Sequence, residues 1–172
     1  IYVSDGGTWW SRNVGNHRIQ IFDSSGNYLN TIGETGVYGS DNSHFRGPSH
    51  IAIYDDVLYI ADSGNHRIQL YNVSNPASPS YVDTIGVSGV SGSDNSHFDY
   101  PRGLAVNENY FYIADSENNR GQIYYRTTRN YLTTIGTGWG DDNDEFKIPS
   151  DVAVDDSGNI YVADFVNCRV QQ

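Results

Sequence analysis

Three aspartates stand five residues ahead of an arginine: Asp62–Arg67, Asp115–Arg120 and Asp164–Arg169. A carboxylate beside a guanidinium can serve acid–base catalysis or an ionic lock. Recurrence decides between the two. Catalysis needs such a pair once, whereas a pair that returns in every copy of a unit belongs to the unit's architecture. These six residues are read as a repeated turn lock. The aspartate accepts loop N–H groups and the arginine pairs across units. The residue just ahead of each arginine is His17, His66, Asn119 or Cys168. Because Asn and Cys fill the same place, His17 and His66 read as loop residues rather than ligands. Cys168 is the only cysteine, so no disulfide forms within the chain.

Other residue groups could bind. Trp139-Gly140-Asp141-Asp142-Asn143-Asp144-Glu145 gathers four carboxylates, Asp141, Asp142, Asp144 and Glu145, which could offer oxygen ligands to Ca²⁺. The segment lacks the spacing and Gly of an EF-hand loop. Its counterparts are Gly39–His44 and Gly92–His97, both reading GSDNSH. His44 and His97 read there as solvated turn residues. Trp9 and Trp10 lie in a Gly-flanked polar stretch between Asp5 and Arg18, where a spacing of 13 replaces the usual five. Adjacent tryptophans there could stack on a sugar, clamp a peptide, dock on another subunit or cover an exposed edge. Trp139 is grouped with them as an aromatic for partner contact.

The elements that must position these groups repeat. The strings IYVSD (1–5), YIAD (59–62), YIAD (112–115) and YVAD (161–164) recur, with spacings of 53 from Tyr59 to Tyr112 and 49 from Tyr112 to Tyr161. Thr-Ile-Gly follows at 31–33, 84–86 and 134–136. Pro48, Pro101 and Pro149 each open an apolar stretch, and Phe45, Phe98 and Phe146 stand three residues before them. Each period holds four short runs bounded by turn residues, which predicts four strands. Four strands per roughly 50 residues is the pattern of a propeller blade. The expected fold is all-β, with four-stranded antiparallel blades. It comprises a partial blade at 1–33, blades at 48–86 and 101–136 and a partial blade at 149–172, about 3.5 blades in 14 strands. The apolar runs at 51–53, 104–106 and 152–154 are expected to be buried on both faces. The phenylalanines are expected to wedge between blades.

In phase, P-x-x-[IV]-A-[IV], YIAD-x-x-N-x-R-[IV]-Q and TIG resemble the NHL repeat over nearly the whole chain. With the strands of such a blade lettered a (innermost) to d (outermost), the b–c and d–a loops share one face with the mouth of the central channel, where the copies diverge as Ser49-His50, Arg102-Gly103 and Ser150-Asp151. Variable polar groups at a channel mouth are expected to face a ligand. On the opposite face, Asn72-Val73-Ser74 is a formal glycosylation sequon.

The resemblance implies two functions. One is a non-enzymatic binding or self-assembly scaffold for a protein or glycan partner. The other is a metal-assisted lyase resembling peptide-amidating or antibiotic-inactivating propeller lyases. The lyase would use His50 and Asp151, with Arg102 beside them, and Zn²⁺ or Ca²⁺; no third ligand is evident. No resident cofactor is expected for the scaffold. The chain has 172 residues, 21 acidic against 10 basic, and net charge −11, which disfavours a phosphate backbone as partner. Four of the basic residues are the repeated Arg18, Arg67, Arg120 and Arg169, so no basic patch remains. No apolar run is long enough to span a membrane. Acidity, scarce Lys and abundant Tyr, Asn and Ser fit an extracellular or cell-surface protein. The chain starts at Ile1 and holds no Met, which reads as a processed or partial product. Unclosed blades would expose apolar faces, so the ring is expected to be completed by further chain or by other copies.

Overall fold

The computed structural model describes residues 1–7 and 15–172. Among these, 14 strands form where alternating Val, Ile, Tyr and Thr runs are cut by Gly, Asn, Asp and Pro. They are β1 (Tyr2–Asp5), β2 (Arg18–Phe22), β3 (Tyr28–Ile32), β4 (Pro48–Tyr54), β5 (Val57–Asp62), β6 (Arg67–Asn72) and β7 (Ser80–Ile85). There follow β8 (Pro101–Val106), β9 (Tyr110–Asp115), β10 (Arg120–Tyr125), β11 (Tyr131–Ile135), β12 (Pro149–Val154), β13 (Ile160–Asp164) and β14 (Arg169–Gln171). Each sheet keeps its strands in sequence order: β1–β3, β4–β7, β8–β11 and β12–β14. All pairings are antiparallel.

The inner strands β4, β8 and β12 lie side by side, with β1 against β4. Each gap between successive sheets holds its own apolar cluster. This is the radial packing of a β-propeller, present here as an open arc of four blades.

The phenylalanine wedges are where the spacing places them. Phe45 packs among Ile19, Ile21 and Ile32 of the first blade and Leu58, Ile60 and Tyr71 of the second. Phe98 lies among Tyr59, Ile68 and Ile85 on one side and Leu104, Phe111 and Tyr124 on the other. Phe146 joins Tyr112 and Ile123 to Val152 and Val162. Gly86 of the Thr-Ile-Gly string explains why that glycine recurs. Its φ is +94°, and a Cβ there would stand 2.9 Å from the Phe98 ring and from the His66 carbonyl oxygen.

The inner strands depart from the expected two-sided burial. Ile53 is 49% exposed, and Ala153 is exposed. Each inner strand has a hydrogen-bonded neighbour on one side only, and the open arc leaves its axial side uncovered.

The start of each inner strand is irregular. The register slips by one residue between Pro48 and Ile51, between Pro101 and Gly103, and between Pro149 and Asp151. A bulge at a strand's end re-aims the extra side chain out of the ladder. The divergent residues at 49–50, 102 and 150 all fall within or beside these bulges.

Candidate functional site

The repeated Asp–Arg pairs form a lock between loops. Asp62 is fully buried, and its Oδ1 accepts the Arg46 N–H at 2.6 Å. Its Oδ2 accepts from Asn65 Nδ2 and from Arg67 Nε, each at 2.8 Å. Arg67 then donates to the Ser40, Asp41 and His44 carbonyls at 2.7, 2.7 and 2.8 Å and to Ser88 Oγ at 2.8 Å. The guanidinium thus gathers the loop that enters its own blade. Arg120 grips Ser93, Asp94 and His97 in the same way, and Arg169 grips Asp141, Asp142 and Glu145. The first copy keeps the pair as Asp5–Arg18 at 3.0 Å, despite its longer loop. Burial pushes the Asp62 and Asp115 carboxyls up, against the pull of their arginines and donors. At Asp164 burial also acts upward, but the Lys147 N–H, Asn167, Arg169 and Gln171 outweigh it and hold the carboxyl below its usual range.

A second repeated contact joins one blade to the next. His17, His66, Asn119 and Cys168 all adopt left-handed backbone, with φ between +51° and +56°. His17 Nδ1 accepts the Gly47 N–H at 3.0 Å, His66 Nδ1 the Tyr100 N–H at 3.2 Å and Asn119 Oδ1 the Ile148 N–H at 3.0 Å. Each donor is the residue before the next blade's proline. Ser63 and Ser116 add hydroxyl bonds to the Pro101 and Pro149 carbonyls at 2.5 and 2.6 Å. Cys168 and Phe165 occupy the corresponding places in the fourth copy, without these groups.

Locks and joints hold the rim of a cavity of about 400 Å³ at the start of the inner strands. Ser49, His50, Arg102, Ser150 and Asp151 all line it, so the structure brings together five of the six residues expected at the channel mouth, Gly103 being the exception. His50 comes from the second blade. Its Nδ1 accepts the Leu104 N–H of the third blade at 3.3 Å, and its Nε2 stands 3.7 Å from Asp151 Oδ1 of the fourth. Asp151 Oδ1 also accepts the Val152 N–H at 2.9 Å. Close packing enables this convergence: a Cβ on Gly103 would come within 2.4 Å of Asp151 Cα. Arg102 pairs with Glu117 at 3.0 Å. Ser49 Oγ bonds Ser63 Oγ at 2.7 Å and the Arg102 carbonyl at 2.9 Å, and Ser150 Oγ reaches the Ala163 carbonyl at 3.3 Å.

Other candidates stay outside this cavity. Trp139 is 59% exposed, with the Lys147 ammonium 5.7 Å from its ring. In the acidic segment, Asp141 pairs with Lys147, and Glu145 Oε2 accepts the Asp142 N–H at 3.1 Å. Among the described residues, no three His, Cys, Asp or Glu side chains are gathered as a metal site. His44 Nδ1 lies 2.8 Å from Asp41, which raises the His44 pKa, and the Ser43 hydroxyl and N–H, followed by His44, hold the Asp41 carboxyl well below the usual range. Trp9 and Trp10 lie outside the described residues. Arg46 and Tyr100 also line the cavity and were not singled out by sequence reasoning, and His17, read from the sequence as a loop residue, lines it too. The positions of Arg46 and Tyr100, between the wedge Phe and the Pro, vary from copy to copy, which was the available signal.

The NHL repeat family matches residues 98–124 and 146–172, the segments that run from wedge phenylalanine through lock arginine. The chain carries NHL repeats at these two positions. The NHL array is also 26% identical over 143 residues to a probable peptidyl-alpha-hydroxyglycine alpha-amidating lyase of Caenorhabditis elegans, covering 80% of this chain and 39% of that one. Its fold is similar to auxiliary nutrient binding proteins of Bacteroides thetaiotaomicron and Bacteroides ovatus. The TM-score is 0.66 for each, with identities of 19% and 20%, over 90% of this chain and 42% of theirs. The NHL array described here therefore spans about two-fifths of the length of these relatives.

Proposed function

We propose that this NHL array is a non-enzymatic binding scaffold, extracellular or at the cell surface, that takes a protein or glycan partner at the inner-strand cavity. The observation that carries the reading is convergence. Five side chains from three blades, at the two positions where the repeats read Ser-His, Arg-Gly and Ser-Asp, meet at one opening on the face that bears the longest loops. Their variation has no counterpart in the locks and wedges, whose residues repeat because the architecture needs them. The solved nutrient binding proteins supply a precedent for binding on this fold. With net charge −11, a polyanionic partner would be repelled.

Self-assembly belongs to the same proposal. Ile1 and Val3 of the first blade, and Phe165, Val166 and Val170 of the fourth, are exposed. Flanking sheets with such apolar faces favour association with further blades or other copies.

A panel of immobilised glycans and peptides tests the reading. Selective retention of the labelled chain is expected, with retention falling at least tenfold in Arg102→Ala. No retained member, or retention indifferent to Arg102, would overturn it. A second reading, metal-assisted lyase, is favoured by the His50–Asp151 approach and by the Caenorhabditis relative. Turnover of a peptidyl-α-hydroxyglycine with added Zn²⁺ or Ca²⁺, abolished in His50→Ala, would replace the scaffold reading.

A further inference from the structure

The cavity wall carries two donors that lack an acceptor among the described residues. His17 is only 2% exposed. Its Nδ1 accepts the Gly47 N–H at 3.0 Å, so the neutral ring carries its proton on Nε2. Burial and the nearby Arg46 charge both lower the His17 pKa, which keeps the ring in this neutral form. Nε2 is nonetheless buried without a hydrogen-bond partner. Native structures rarely leave such an N–H unmatched unless a ligand or solvent completes it.

Arg46 is the second donor. Seven other described arginines each have a carboxylate oxygen within 3.9 Å: Arg18, Arg67, Arg102, Arg120, Arg126, Arg129 and Arg169. Arg46 has none among the described residues; its guanidinium lies 5.7 Å from the Tyr38 ring centre. In a chain with twice as many acids as bases, a cation left without an anion is conspicuous. Arg46 and His17 line the same cavity.

A guanidinium and a neutral N–H on residues that line one cavity, both unmatched, fit the two oxygens of one carboxylate. A dianion fits less well. Asp151 lines the same cavity, and the chain's own charge opposes a second negative charge. We infer that the cavity is a receptor for a carboxylate-bearing ligand, with one oxygen on His17 Nε2–H and the other on the Arg46 guanidinium. The inference rests on the cavity being the binding site and names the chemistry of what enters it.

The test uses the whole chain and three probes: N-acetylalanine, its neutral amide N-acetylalaninamide, and inorganic phosphate. Long-range ¹H–¹⁵N spectra follow the histidine rings. Saturable shifts of the His17 ring with N-acetylalanine are expected, with the amide at least tenfold weaker and phosphate weaker too. Arg46→Gln is expected to weaken binding at least tenfold. His17→Asn is the second variant. Asn119 already occupies the equivalent left-handed position and accepts the next blade's N–H, so this change keeps the joint and removes the ring donor. Several-fold loss is expected there as well. Equal binding of acid and amide, preference for phosphate, indifference to both variants, or no shift at all would overturn the inference. Partner retention in the panel would stand through any of those outcomes, and its loss would leave a measured carboxylate site intact.

Discussion

Replacing Arg67 with Ala removes the most enclosed of the four locks. Arg67 is 1% exposed and Asp62 is fully buried, at 2.8 Å. The substitution strips Asp62 of its charge partner and removes the guanidinium's hydrogen bonds to the Ser40, Asp41 and His44 carbonyls, of which Ser40 keeps a bond from Ser88 Oγ. Removing one member of a buried ion pair costs about 3–5 kcal/mol, because the other charge stays desolvated. The same motif supplies its own control. Arg18 and Asp5 are 21% and 29% exposed, and there the loss is expected to be about 1 kcal/mol or less. Urea denaturation followed by tyrosine fluorescence, with midpoints and slopes compared, reads both. If the penalty comes from the stranded carboxylate, Asp62→Asn added to the Arg67→Ala background should recover at least about 1 kcal/mol. Equal losses at Arg67 and Arg18, or no recovery in the double variant, would refute the reasoning that burial sets the lock's strength.

Phe98→Ala should destabilise the chain by about 3–5 kcal/mol in the same assay, because the ring is fully buried between two blades and Gly86 packs directly on it; a loss below about 1 kcal/mol would contradict the wedge. Stability should also depend on pH through His17. Its folded pKa lies below the ordinary value, so its contribution is complete above about 6.5 and declines as pH falls from there toward the folded pKa. His44 is raised and acts oppositely, its contribution present below about 6.5 and lost as pH rises through its folded pKa. The comparison is therefore wild type against His17→Asn between pH 7 and pH 5, with the wild-type midpoint expected to fall more steeply.

The fold was legible because its signals repeat and each has one physical cause. Gly86 recurs for its positive φ and its place against Phe98, and Asp62 and Arg67 recur because a buried carboxylate needs its cation. The divergent inner-strand residues were legible as a set. Their convergence could be anticipated from topology alone, since all start strands that point at one axis. The bulges were not legible, because an extra residue near a proline leaves no mark in an apolar pattern. Two-sided burial of the inner strands was overestimated because apolar composition reports what a complete ring would bury, whereas Ile53 here faces an open arc. Arg46 escaped notice because its significance lies in the lack of a carboxylate beside it among the described residues, which only the three-dimensional arrangement reveals.

The division between repeated and divergent positions follows from how the load is carried. The wedge phenylalanines bury the blade faces, the lock arginines fix the loops, and the left-handed residue joins each blade to the next proline. None of these duties falls on the bulged residues at 49–50, 102 and 150, which the register slip turns out of the ladder. Those positions do not share one repeated contact, and a cavity lined by them can change its chemistry. His17 combines both roles. One edge of its ring performs the joint that Asn119 performs elsewhere, and the other edge remains as a buried donor at the cavity. Reading by repetition assigns such a residue wholly to architecture, because its position repeats; only the second nitrogen of its ring shows that the same side chain is available for recognition.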